Sequence, residues 1–231
     1  MKLAIMQPYI FPYIGYFQLI NAVDKFVILD DVNFIMRGWI NRNRILVNGK
    51  DYLFTIPLIK ASQNKLIFEC ELAESNWKEK LLKTIDLSYK KAPFFKDCFG
   101  IFSSILASEE VNLSKWLTFQ LKTICKYLEI KTSIVDSSRV YSNPHLSAQD
   151  KIIDICKLEK AQTYFNTIGG KHLYKTADFK INNIELHFLN TLPVRYHQFN
   201  AEFVPFLSII DVMMFNNRND IHNLLNKYEL V

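Results

Sequence analysis

A chain of 231 residues, 49% hydrophobic and 22% charged, lies in the ordinary globular range and is long enough to bury a large core as one domain. Its net charge of +5 comes from 28 basic and 23 acidic residues with no block of like charge, which argues against a nucleic-acid surface and suits an anionic small molecule. No run approaches the roughly 20 apolar residues of a membrane span, the apolar run at residues 1–6 is too short for a signal-peptide core, and the four separated cysteines read as reduced and buried; a cytoplasmic location is expected.

Residues 3–6 form a short apolar, β-rich run that ends in Gln7-Pro8. Residues 13–22 carry helical spacing, and residues 25–29 are a second β-rich run ending in Asp30-Asp31. Buried parallel strands that end in polar residues open their carboxyl ends onto a site. Residues 44–47 and 52–57, joined by Asn48-Gly49, predict a type I′ hairpin projecting beside it. A helical insert at about 76–130 follows. It opens on a capping-box pattern of Asn76 with Glu79, and its stripes include Leu81 and Ile85, then Cys98 and Phe102 behind Pro93, then Trp116 and Leu121.

Alternation then resumes. Residues 132–135 are a strand ending in Asp136-Ser137-Ser138, and Ser147 with Asp150 predicts a capping box opening a helix to about residue 158. Residues 163–166 are a strand leading to Gly169-Gly170-Lys171 and a helix, residues 184–189 are the last strand, and helices at about 205–215 and 219–228 close the chain. The pattern predicts a three-layer α/β fold around a central parallel sheet, with a projecting β-hairpin and the helical insert.

Four clusters could carry chemistry. The first, Gln7 to Phe17, fixes its loop with two prolines and a glycine and offers tyrosines, among them Tyr13, to a sugar or base. An ordinary connection would pack the same aromatics in the core, but the Gln7 amide would then still need partners. The second runs from Asp30 to Arg44 and interleaves Asp31, Phe34, Trp39, Asn41, Arg42 and Asn43; Arg matches phosphate and Asn both donates and accepts, unless the loop is simply solvated. The third, Gly169-Gly170-Lys171, could hold an anion at a helix start or be a tight turn with a solvated lysine. The fourth joins Arg195 to Asn200 with Asp211; His197 is the best general base in the chain, Gln198 lies beside it, and Asp211 could orient the imidazole or hold an amine. A structural histidine with Asp211 serving a helix start is the alternative. The histidines lack zinc-ligand spacing, so no metal is expected. The wall of the site is assigned to residues 5–44, with its other half at 169–171 and 195–211.

The first, second and fourth clusters together resemble the WbqC-like family, bacterial proteins associated with surface polysaccharide gene clusters. The resemblance rests on Met6-Gln7-Pro8-Tyr9-Ile10-Phe11-Pro12-Tyr13-Ile14-Gly15-Tyr16-Phe17, on Asp30-Asp31-Val32 with Trp39-Ile40-Asn41-Arg42-Asn43, and on Leu207-Ser208-Ile209-Ile210-Asp211. Asn216-Asn217 stands where a glycine is expected. The opening also looks like the nucleotide-binding fold of nucleotidyltransferases and pantothenate synthetase, but without their histidine motif, which counts against ATP use.

The resemblance implies a role in O-antigen or lipopolysaccharide assembly. The leading expectation is a transferase that puts an acyl or aminoacyl group on the amine of a nucleotide-linked amino sugar. Its donor would be acyl-CoA, an acyl carrier protein or an adenylate. His197, Asp31 and Asp211 are assigned to catalysis, and Gln7, Tyr13, Trp39, Asn41, Arg42, Asn43, Gly169, Gly170, Lys171 and Gln198 to substrate binding. Partners would be the nucleotide-linked amino sugar, a carrier protein and a second copy of the chain, without nucleic acid or membrane insertion. The alternatives are a glycosyltransferase using Asp30-Asp31 for a divalent ion and a non-catalytic binding protein of the polysaccharide machinery.

Overall fold

The computed structural model describes residues 1–199 and 202–231. Its centre is a six-stranded sheet built from β1 (Lys2–Met6), β2 (Lys25–Ile28), β7 (Ser133–Val135), β8 (Thr163–Thr167), β9 (Glu185–Thr191) and β10 (Tyr228–Leu230). The spatial order is β10-β9-β8-β1-β2-β7. Every pairing is parallel except that of β9 with β10. The sheet is therefore mixed, with one antiparallel edge strand. That edge is the main departure from the sequence expectation, because Tyr228 ends no helix but opens β10, paired to Thr191.

Both faces of the sheet are covered, as the uninterrupted apolar runs require. Leu3, Ile5 and Val27 pack with Ile152 and Ile155 of α5 (Ala148–Leu158) and Phe179 of α6 (Thr176–Ile181). Ala4, Phe26 and Ile28 face the other way, against α1 (Ile14–Asn21), α7 (Ile209–Phe215) and α8 (Arg218–Leu225). Alternation within one strand thus feeds two cores and gives the three layers.

The hairpin pairs β3 (Arg42–Val47) with β4 (Lys50–Thr55) from Arg42↔Thr55 to Val47↔Lys50. Its turn residues Asn48 and Gly49 have φ of 51° and 75°, the positive pair a type I′ turn demands. A two-residue ladder of β5 (Leu58–Ile59) with β6 (Glu71–Leu72) follows. The helical insert consists of α2 (Trp77–Tyr89), α3 (Phe95–Leu106) and α4 (Leu113–Tyr127).

Several caps differ from expectation. Asn76 and Ser147 make no capping hydrogen bond, whereas Asn112 accepts from Lys115 N–H. Helix α7 begins at Ile209, not near residue 205, because Ser208 caps it while Ser208 N–H and Ile209 N–H are spent on the carbonyls of Arg44 and Pro12. At the Asn216-Asn217 corner, Asn216 Nδ2 donates to Val212 O, and Asn217 Oδ1 accepts from Asp220 N–H and starts α8.

Candidate functional site

Chain order runs outward from β1 in both directions across the sheet, so the strand order reverses between β1 and β8. In open α/β sheets ligands bind beyond the carboxyl ends near such a reversal. Two openings lie along this edge, one polar and one aromatic.

The first, called the polar cavity for its charged groups although most of its wall is apolar, measures about 710 Å³ and is lined by Asp31, Leu66, Phe68, Arg139, Ser142 to Pro144, Leu146 to Ala148, and Lys151. Register explains the meeting of these groups. Val27 pairs with Val135, so Asp30-Asp31 and Ser137-Ser138 leave adjacent parallel strands at the same edge. Lys151 Nζ stands 2.6 Å from Asp31 Oδ2, with the two side chains only 3% and 6% exposed. Ser138 Oγ donates to the other Asp31 oxygen. Asp30 points inward and accepts from Ser114 Oγ at 2.7 Å and Ser137 Oγ at 2.6 Å. Arg139 lies 4.4 Å over the Phe68 ring, and Phe68 N–H is held by Asp30 O. Ser142 and Ala148 on this wall have left-handed backbone, φ 52° and 45°. A buried ion pair, a half-exposed guanidinium whose Nε donates to Ser137 Oγ and lies 4.0 Å from Asp30, and the positive end of α5 thus border one water-accessible space.

The aromatic groove consists of two adjoining cavities of about 280 and 230 Å³ that share Tyr13 and Phe206. Thr191 to Tyr196, Phe203 and Pro205 line the larger; Tyr9, Pro12, Trp39 and Asn43 line the smaller. Arg42 and Arg44 both lie against Trp39, at 5.6 and 5.5 Å. Asn43 welds the groove together: its Nδ2 donates to the Ile10 and Phe11 carbonyls at 2.8 and 2.7 Å, and its Oδ1 accepts from Arg44 N–H. Gln120 and Ser208 bind the same loop, through Phe11 N–H and Phe11 O. The seat of the Tyr13 ring depends on Gly15, because a Cβ there would stand 2.2 Å from Tyr13 Oη and displace it.

The residues expected from the sequence divide among several places. Asp31 borders the polar cavity, while Tyr13, Trp39 and Asn43 line the groove with Arg42 beside them. Asn41 ties the hairpin base by donating to Ile56 O. Gln7 is half-buried and its carbonyl accepts from Tyr16 Oη. Gly169 and Lys171 are exposed in a short 3₁₀ turn beyond β8, and with Gly170 they line neither opening.

Asp211 is fully buried and enclosed by Tyr89 Oη at 2.9 Å, Tyr196 Oη at 2.6 Å and Gln198 Nε2 at 2.6 Å. Burial pushes its carboxyl up to about 6 against the opposing pull of those donors. Tyr89 Oη also accepts from Leu46 N–H, so Asp211 joins α2, the hairpin and α7. The expected pairing of His197 with Asp211 is not formed: the imidazole is exposed, and both carboxylate oxygens have other partners. Asn200 lies outside the described residues.

Sequence reasoning missed Lys151, Arg139 and Phe68. The signal for Lys151 was a lysine on the α5 face that carries Ile152 and Ile155, where a buried ammonium needs a partner.

The WbqC-like protein family model matches residues 7–223, which span every element of both openings. The chain belongs to the WbqC-like family. This WbqC-like chain is 28% identical over 215 residues to the uncharacterized protein Rv1507c of Mycobacterium tuberculosis, covering 92% of each chain. No solved structure matches it. No helix among the described residues is long and apolar enough to cross a membrane.

Proposed function

We propose that this WbqC-like chain is a transferase of bacterial surface polysaccharide assembly that joins an acyl or aminoacyl group to the amine of a nucleotide-linked amino sugar. The observation that carries the reading is the Asp31–Lys151 pair on the wall of a cavity of about 710 Å³, with Arg139 beside it. That volume is in the range of small-molecule sites.

The chemistry needs an amine freed of its proton and a carbonyl whose oxygen is stabilised as it becomes negative. Asp31 is the group to take the proton as nitrogen bonds to the acyl carbon. The bond from that carbon to its leaving group, a thiolate or a nucleotide phosphate, then breaks, and the proton passes on to the leaving group or to water. Lys151 and Arg139 supply the positive charge for the oxyanion. In this reading Asp31 fills the role of base, while His197 and Asp211 lie outside the polar cavity. Glycosyl transfer through a metal held by Asp30-Asp31 has less support, since the Lys151 ammonium already sits 2.6 Å from Asp31, where it repels a second cation, and Asp30 is turned inward to Ser114 and Ser137.

The test incubates purified protein with UDP- and dTDP-amino sugars and acyl-CoA, acyl-carrier or adenylate donors, and reads products by mass. An added acyl mass that falls about 100-fold or more in Asp31→Asn is expected for loss of a general base. A blank across the whole panel would sink the proposal.

A further inference from the structure

The aromatic groove has a chemistry different from that of the polar cavity, and the transferase reading leaves it without a role. We infer that it is a nucleotide subsite, holding a flat base against Trp39 and Tyr13 and a phosphate against Arg42 and Arg195. The inference deepens the transferase reading and rests on it only for the expectation that a nucleotide is among the substrates.

The polar inventory of the groove decides between a base and a sugar. A pyranose presents a ring of hydroxyls, each of which needs a partner when desolvated. The groove has little to offer them. Asn43, its one amide, has Oδ1 and both amide protons committed to the protein's own backbone. Neither lining contains a carboxylate among the described residues. What remains are π faces, tyrosine hydroxyls, the Thr191 hydroxyl, the Arg195 guanidinium and, beside the lining against Trp39, that of Arg42. Flat faces suit any nucleobase, and the planar fork of arginine suits phosphate.

Phe206 supports the same conclusion. It is shared by both parts of the groove, yet its side chain is 77% exposed and its backbone is left-handed at φ 58°. A bulky residue in that region carries strain that no burial of its own ring offsets, and strained residues cluster at active sites and ligand clamps.

The base could belong to the amino-sugar acceptor or to an adenine-containing donor, and titration separates the two. The full chain is titrated by calorimetry with UDP, dTDP, ADP and inorganic pyrophosphate. Tryptophan emission is followed in parallel, because Trp39 is 42% exposed while Trp77 and Trp116 are buried and report little of the solvent.

The expected result is binding of a nucleoside diphosphate well above pyrophosphate, with quenched emission. Trp39→Ala should weaken it about ten-fold or more, and Phe206→Gly, at an exposed site that tolerates glycine, should weaken it in the same direction. Preference for UDP or dTDP assigns the groove to the acceptor, and preference for ADP assigns it to the donor. Nucleotide affinity unchanged in both folded variants overturns the groove while the transferase reading stands. Nucleotide binding lost in Trp39→Ala, together with a wild-type blank in the transfer assay, upholds the groove and removes the transferase reading. Failure of every nucleotide to bind the wild type overturns the subsite.

Discussion

Replacing Lys151 by Met keeps most of the apolar stem but removes the ammonium 2.6 Å from Asp31. The carboxylate, 6% exposed, is left with the Ser138 hydroxyl as its remaining side-chain donor. Breaking one side of a buried pair costs about 3–5 kcal/mol, and the lower end applies because Asp31 borders a cavity that admits water. Unfolding entropy near 2.1 cal/mol/K per residue gives about 0.5 kcal/mol/K for a chain of 231 residues. A loss of about 3 kcal/mol therefore lowers Tm by about 6 °C. Asp31→Asn, which strands the ammonium, should cost a similar amount. The double variant has no buried charge left unpaired and should be more stable than the sum of the single losses predicts, by about 1–3 kcal/mol in urea denaturation. Additive losses, or single variants within about 0.5 kcal/mol of wild type, would refute a buried, coupled pair.

Asp211 sets a pH dependence of its own. Its folded value of about 6 exceeds the unfolded value of about 3.9, so the folded state binds more protons between them. Its contribution to stability is fully present below about 4 and is lost by roughly 3 kcal/mol as pH rises to about 6. The stability difference between wild type and Asp211→Asn should change by that amount across this window in urea titrations and stay flat above it; a flat difference throughout would contradict the buried carboxyl. Gly15→Ala should drive the Tyr13 ring from its seat, since the new methyl would lie 2.2 Å from Tyr13 Oη, and a crystal structure of the variant with Tyr13 unmoved would count against the close approach. Phe206→Gly relieves left-handed backbone but frees the unfolded chain, so stability by thermal melting should stay within about 1 kcal/mol of wild type; a larger loss would mean that the exposed ring packs in the fold.

The layered α/β architecture was legible because short apolar runs ending in polar pairs have few other uses. Asn48-Gly49 alone located the hairpin turn. Strand β10 escaped because three residues carry no period and their partner Thr191 lies far back in the sequence. The helix expected from residue 205 was shortened by tertiary bonds from residues 208 and 209 to Arg44 and Pro12, which no local pattern encodes.

Asp31 and the aromatic loop stood out as polar or rigid groups at strand ends. Lys151 did not, because a lysine on the apolar face of α5 shows that a partner is needed but not which one, until the fold sets Asp31 2.6 Å from its ammonium. His197 drew attention through its neighbours in sequence, yet Tyr196 and Gln198 turn to Asp211 while the imidazole between them is exposed.

A crystal structure of the chain soaked with a nucleotide-linked amino sugar tests the transferase proposal most directly. The expected result is the sugar amine in the polar cavity within hydrogen-bonding distance of Asp31, facing Lys151 and Arg139. Ordered ligand bound elsewhere, with the amine remote from Asp31, would contradict it.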